Sequence, residues 1–248
     1  MRIAVVADIH GNVRALRAVM DDLKDVAPDT VVNLGDCVSG PLEAAETADV
    51  LISLAWTTIR GNHDRQLLDR PAEKMGRSDQ AAFAELKSHH KSWLSSLEET
   101  VEFEGLIFCH GTPDNDQVYL CETVEPDGRV RLATRSEITR RLAGVQAPIV
   151  LCAHSHVTRY VALDHDRLVV NPGSIGLPAY TDTEPVKHSM EMGAPHARYA
   201  VLDRRKAADP WHVTFRVVAY DWGAAGKRAA DKGRDDWARW IRTGYAGA

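Results

Sequence analysis

Five short apolar runs in this 248-residue chain end on residues that buried strands rarely carry. "RIAVVA" (2–7) runs into Asp8-Ile9-His10-Gly11-Asn12, "TVVNLG" (30–35) into Asp36, and "WTTIRG" (56–61) into Asn62-His63-Asp64. "LIFC" (106–109) meets His110-Gly111, and "IVLC" (149–152) meets Ala153-His154-Ser155-His156. Apolar runs of this length bounded by turn residues read as buried strands. In open α/β sheets, functional groups gather beyond the carboxyl ends of the strands. Such a chain is constrained to deliver all five endings to one edge.

The intervening segments agree. Val13, Leu16, Val19, Met20 and Leu23 recur at helical spacing, and 42–54 reads as a second helix. Strand-helix alternation of this kind implies a parallel sheet core with right-handed crossovers, hence an α/β fold. Further on, Ser78 to Leu97 is expected to be mostly helical, and "TVEFEGLIFCH" a hairpin turning at Glu104-Gly105. A β excursion is expected over 118–133, turning at Pro126-Asp127-Gly128, and a helix capped by Ser136. "IVLCA", "TRYVALD" and "RLVVN" read as strands, with a turn at His165-Asp166. Residues 180–196 are polar, hold two prolines and lack periodicity, so they read as a long loop able to serve as a lid. "RYAVLD" and "WHVTFRVVAY" resume strands, and a C-terminal helix is expected over 224–243, with Trp237, Trp240 and Ile241 on its apolar side. No repeat or linker divides the chain, which reads as one domain over 1–248.

Composition narrows the function. The formal net charge is −5, so no global basic field draws in a nucleic-acid polymer, and "RSEITRR" (135–141) reads as a solvated helix face. No apolar run approaches the roughly 18 residues of a membrane helix. The N-terminus opens as a strand without signal-peptide features, so a cytoplasmic protein is expected. The four cysteines form no CxxC pair and read as small buried hydrophobes.

The strand-end residues form a donor set. Asp8, His10, Asp36, Asn62, His110, His154 and His156 offer oxygen and nitrogen without thiolate, which suits manganese, iron, zinc, cobalt or nickel. Seven ligands exceed the needs of one ion. Two divalent ions sharing Asp36 fit the count better. Any one of these residues alone reads better as a cap, a turn residue or a core histidine than as a ligand; their joint placement does not.

Together, Asp8-x-His10, Gly35-Asp36, "GNHD" (61–64), "CHGTP" (109–113), His154-x-His156 and "NPGS" (171–174) resemble the calcineurin-like metallophosphoesterases, especially their small bacterial and archaeal phosphodiesterase branch. The resemblance implies a four-layer α-β-β-α sandwich. It implies one metal on Asp8, His10, Asp36 and His156, and another on Asp36, Asn62, His110 and His154, with manganese the first expectation. It further implies a hydroxide held between the ions as nucleophile. His63 would sit beside the substrate phosphate as proton donor, oriented by Asp64. Asn12 is a candidate phosphate contact, though a helix N-cap explains it equally well. "CVSGP" after Asp36 and Asp64 in place of glutamate depart from the Ser/Thr protein phosphatases and argue against phosphoprotein substrates. A phosphodiesterase on a small nucleotide-like substrate is the leading expectation. A phosphomonoesterase with the same site is the alternative, and a non-catalytic scaffold ranks below both. Ala153 stands where the family usually has glycine. Oligomeric state is not legible.

Overall fold

Two five-stranded mixed sheets lie face to face in the computed structural model, which describes residues 1–164 and 166–247. His165, expected in a turn, lies outside the described residues. The first sheet combines β1 (Arg2–Val6), β2 (Thr30–Asn33), β3 (Thr57–Thr58), β13 (Ala197–Asp203) and β14 (His212–Val218), in the order β14-β13-β1-β2-β3. The second combines β4 (Thr100–Phe103), β5 (Leu106–Cys109), β8 (Ile149–Leu151), β9 (Arg159–Ala162) and β10 (Leu168–Asn171), in the order β4-β5-β8-β10-β9. β1, β2 and β3 pair in parallel, as do β5, β8 and β10.

The apolar runs explain the layering. Side chains alternate faces along a strand. Ile3, Val5 and Ala7 therefore enter one core with Phe108, Leu151 and Val170 from the opposite sheet. Ala4 and Val6 face the other way, onto α1 (Val13–Val26) and α2 (Ala44–Leu54), where Leu16, Val19 and Leu51 pack. On the far side of the second sheet, Cys109, Val150, Cys152 and Val169 pack against Ile138 and Leu142 of the α6 (Arg135–Arg141) region. Strands buried on both faces read as continuous apolar runs. The result is a helix, sheet, sheet, helix stack. All four cysteines are free and buried in these layers.

Several segments differ from expectation. Residues 78–97 break into α4 (Arg77–Phe83) and α5 (Ser88–Ser95), following α3 (Asn62–Asp69). The cap of α6 is Thr134, not Ser136: its hydroxyl accepts the Glu137 N–H while the Glu137 carboxylate accepts the Thr134 N–H, a reciprocal box that fixes the start two residues earlier. The expected excursion forms β6 (Glu122–Val124) and β7 (Val130–Leu132). Residues 180–196 are no featureless loop. They hold an antiparallel hairpin of β11 (Ala179–Asp182) and β12 (His188–Glu191), registered Ala179 to Glu191. The C-terminal helix is two: α7 (Trp222–Asp231), capped by Asp221, and α8 (Asp235–Thr243), separated by Gly233 at φ +70°. Trp237, Trp240 and Ile241 of α8 pack with Leu42, Leu177 and Ala179, so α8 lies on the hairpin. No described helix is long and apolar enough to cross a membrane.

Candidate metal centre

The expected ligands gather at one edge because the strands stop there and the backbone turns sharply. Asp8, His10, Asp36, His154 and His156 all adopt left-handed backbone, with φ between 51° and 66°. Non-glycine residues in this region cost about 1–2 kcal/mol each, and such residues concentrate at functional sites. Here the turns aim side chains inward. The backbone N–H groups of Asp8 and His10 donate to Gly35 and Asp36 carbonyls, which ties the ends of β1 and β2 together.

Two donor clusters result. Asp8, His10 and His156 present ligand atoms within 4.8 Å of one another, and so do Asp36, His110 and His154. Asn62 joins the second cluster, its Oδ1 lying 3.0 Å from His110 Nε2. Asp36 Oδ2 touches both, 3.7 Å from His10 Nε2 and 3.3 Å from His110 Nε2. Backbone carbonyls set the rings. Nδ1–H donates to Ser39 from His10 (2.9 Å), to Leu34 from His110 (2.7 Å) and to Leu177 from His156 (2.6 Å). His154 is inverted: its Nε2–H donates to the Gln117 carbonyl at 3.1 Å. Carbonyl partners of this kind fix which nitrogen remains free to ligate.

The chemistry of the clusters fits cations. Both Asp8 carboxylate oxygens are buried without a hydrogen-bond partner. His10 Nε2 and His156 Nε2 face each other at 3.1 Å, although each ring already spends its Nδ1–H on a carbonyl. Burial pushes the Asp8 carboxyl well above the carboxylate range, His10 down to about 4 and His154 down to about 3. Burial opposes charge on Asp36 and His110 as well, but their mutual attraction prevails. Asp36 is held well below the carboxylate range, and His110 is pushed up to about 10. Buried acceptors that lack donors are the signature of a site completed by a positive ion.

His63 opens α3 at the rim, with 32% of its side chain exposed. Asp64 does not orient it. The Asp64 carboxylate accepts the N–H groups of Asp36 (2.8 Å), Cys37 (3.0 Å) and Gly61 (3.1 Å), which locks two turns together. The partner of His63 is Asp79 on α4: His63 Nδ1–H donates to Asp79 Oδ1 at 2.8 Å. Ser39 Oγ donates to the same oxygen at 2.6 Å, so one serine touches both the His63 partner and the His10 ring. Burial works against the His63 charge, but Asp79 and Asp36 push it up to about 9. Of the two readings of Asn12, the structure shows the helix N-cap. It is fully buried and spent on structure, capping α1 through Ala15 N–H and donating to Gly176 O and Tyr220 Oη.

Two glycines carry the turns. A Cβ on Gly35, at φ +92°, would fall on the Gly61 backbone, and one on Gly61 would fall on Asp36. The turns therefore interlock, which fixes Asp36 relative to Asn62.

Two cavities open from the centre. One of about 220 Å³ is lined by His10, Asp36, Tyr180, Arg234, Trp237 and Trp240, among others. Another of about 620 Å³ runs past Gln66, Arg70, Val118 and Tyr119. Asn62, His63, His154 and Asp182 border both. Trp237 meets His10 edge-on at 5.9 Å and packs on Gly40, beside the carbonyl that holds His10. Asp79, Ser39, Arg234 and Trp237 carried no sequence signal beyond ordinary helix and turn chemistry. His188 and His196, at the two ends of the second half of the 180–196 segment, do not line either cavity. His188 Nε2 accepts from Tyr119 Oη, and Tyr119 stacks on His154 at 4.7 Å. His196 packs on Trp222.

A third cluster, Asp49, His89 and His90, differs in kind. His90 Nδ1 accepts the Lys87 N–H, so its proton sits on Nε2 and donates to Asp49. A donating nitrogen cannot ligate; the cluster ties α2 to α5.

Residues 1–191 match the calcineurin-like phosphoesterase superfamily domain. An uncharacterised protein of Methanocaldococcus jannaschii is 26% identical over 204 residues, covering 71% of this chain and 76% of its own. Among solved structures, a metallophosphoesterase from Sphaerobacter thermophilus superposes with a TM-score of 0.78 at 22% identity, over 99% of this chain and 100% of that one. A putative diadenosine tetraphosphatase superposes at 0.54 and 18% identity, over 88% and 94%.

Proposed function

This chain belongs to the calcineurin-like phosphoesterase superfamily and is a phosphoester hydrolase, and from that premise we propose that it is a phosphodiesterase acting on a small, nucleotide-like substrate with two divalent metal ions. The observation that carries the reading is Asp8, buried with both oxygens unpartnered beside His10 and His156, while Asp36 touches that cluster and the one around His110. Asp8, His10, His156 and Asp36 would hold one ion; Asp36, Asn62, His110 and His154 would hold the other. Bound there, divalent cations supply positive charge to phosphoryl oxygens and lower the pKa of water.

The chain's own groups do the rest. His63 Nδ1–H is committed to Asp79, which leaves Nε2 for the leaving oxygen. A histidine that carries a proton on Nε2 can donate it there, a role typically worth about 10²–10⁴-fold. Asp79 acts through His63 and is a positioning residue. The two cavities favour a diester, because a phosphorus at His63 has room for a substituent on either side.

The test is elemental analysis of protein purified without added metal, followed by turnover of bis(p-nitrophenyl) phosphate and p-nitrophenyl phosphate. Two equivalents of metal and a higher kcat/KM for the diester are expected. One equivalent at saturation would refute the paired-ion reading, and a preference for the monoester would refute the diesterase.

A further inference from the structure

The two arms of the cleft differ in what they can hold. The smaller arm has one guanidinium, Arg234, only 8% exposed and already engaged. Its Nε donates to Asp236 Oδ1 at 2.9 Å, Nη2 to Asp236 Oδ2 at 2.8 Å and Nη1 to Ser78 Oγ at 2.9 Å. Asp182 adds a carboxylate to the same wall. Among the described residues, and away from the ion clusters, this arm has no uncompensated positive charge for a second anionic group.

It offers rings instead. Trp237, Trp240 and Tyr180 line it, with the Arg234 guanidinium 5.5 Å above the Trp237 ring. Small-molecule sites combine apolar, aromatic walls with a few placed polar groups. We propose that this smaller arm binds a flat, uncharged ring, aryl or nucleobase, carried on one ester oxygen of the substrate, while the larger arm takes the other substituent. The assignment rests on the phosphodiesterase reading. Arg234, Trp237 and Trp240 lie beyond residue 191, where the family match ends, whereas Tyr180 lies within it.

Phosphonates with a single substituent test the assignment, because that substituent must choose an arm. Calorimetry on the full manganese-loaded chain would compare phenylphosphonate with methylphosphonate. The phenyl compound is expected to bind about tenfold tighter, as stacking on aromatic side chains provides. Ser78→Leu, which fills the arm from a half-buried position on α4, should bring the two Kd values within about threefold. Trp240→Ala should do the same by removing a wall; Ser78→Leu stands alone if that variant does not fold. Val118→Asp, in the larger arm, should leave the ratio intact. Equal binding by the wild type, a ratio that survives both small-arm variants, or a ratio lost in Val118→Asp would overturn the assignment. A wild-type chain that binds neither phosphonate and hydrolyses no phosphoester would instead overturn the functional reading beneath it.

Discussion

The wall of the cleft built from strand ends and the wall built from α4 and α8 hold their groups in opposite ways. On the first, nearly every ring or carboxylate is fixed by backbone: His10 by Ser39, His110 by Leu34, His156 by Leu177, and Asp64 by three N–H groups. On the second, side chains hold side chains: Asp79 takes His63 and Ser39, and Arg234 takes Asp236 and Ser78. Backbone-fixed groups cannot move unless a strand moves, which suits ligands that must meet within a narrow tolerance. Side-chain partners can be exchanged without touching the sheet. In the proposed reading, the first wall sets the chemistry and the second sets what the chemistry is applied to.

Mutations can break this division. Asp36→Ala, which strips a group touching both clusters, should release metal and reduce turnover to background; retention of metal by mass spectrometry would contradict the first wall's role. His63→Ala should lower kcat by about 10²–10⁴ while metal content holds. Asp79→Asn should lower kcat by about 10–10² with little change in KM, the usual scale for a group that orients another. Its counterpart Asp64→Asn sharpens the contrast: it should lower the melting temperature and metal affinity, because it weakens the tie between two turns. Trp237→Ala should cost about 3–5 kcal/mol, or roughly 10 °C in Tm, while kcat falls less than tenfold. Loss of all turnover with the fold intact would put the helical wall inside the chemistry.

The same division explains what could be read in the sequence. The seven candidate ligands were legible because each follows a short apolar run, and strand periodicity fixes where such runs end. Glu104-Gly105 and Pro126-Asp127-Gly128 were legible as turns, and Glu104, Gly105 and Gly128 adopt positive φ. Asp79 was not, because its partner His63 is 16 residues away and no motif joins them. Asp64 misled because the resemblance carried over a motif and not a direction: neighbouring positions on a helix do not share a face. The hairpin of β11 and β12 was missed because four-residue strands with polar members have no distinctive period. Its order comes from Ala179 packing under α8 and from Glu191 accepting the N–H groups of Ala246 and Gly247. The break between α7 and α8 lay at a single Gly233, whose effect depends on where the following Trp237 must go.

The interlocked glycines have a consequence over generations rather than in the catalytic cycle. Because any side chain at position 35 would collide with the main chain at 61, and any side chain at 61 with Asp36, neither site can drift while the other waits. Lineages descending from this sequence must keep both or rebuild both turns in one step, so the pair should stay frozen long after the surrounding surface has become unrecognisable.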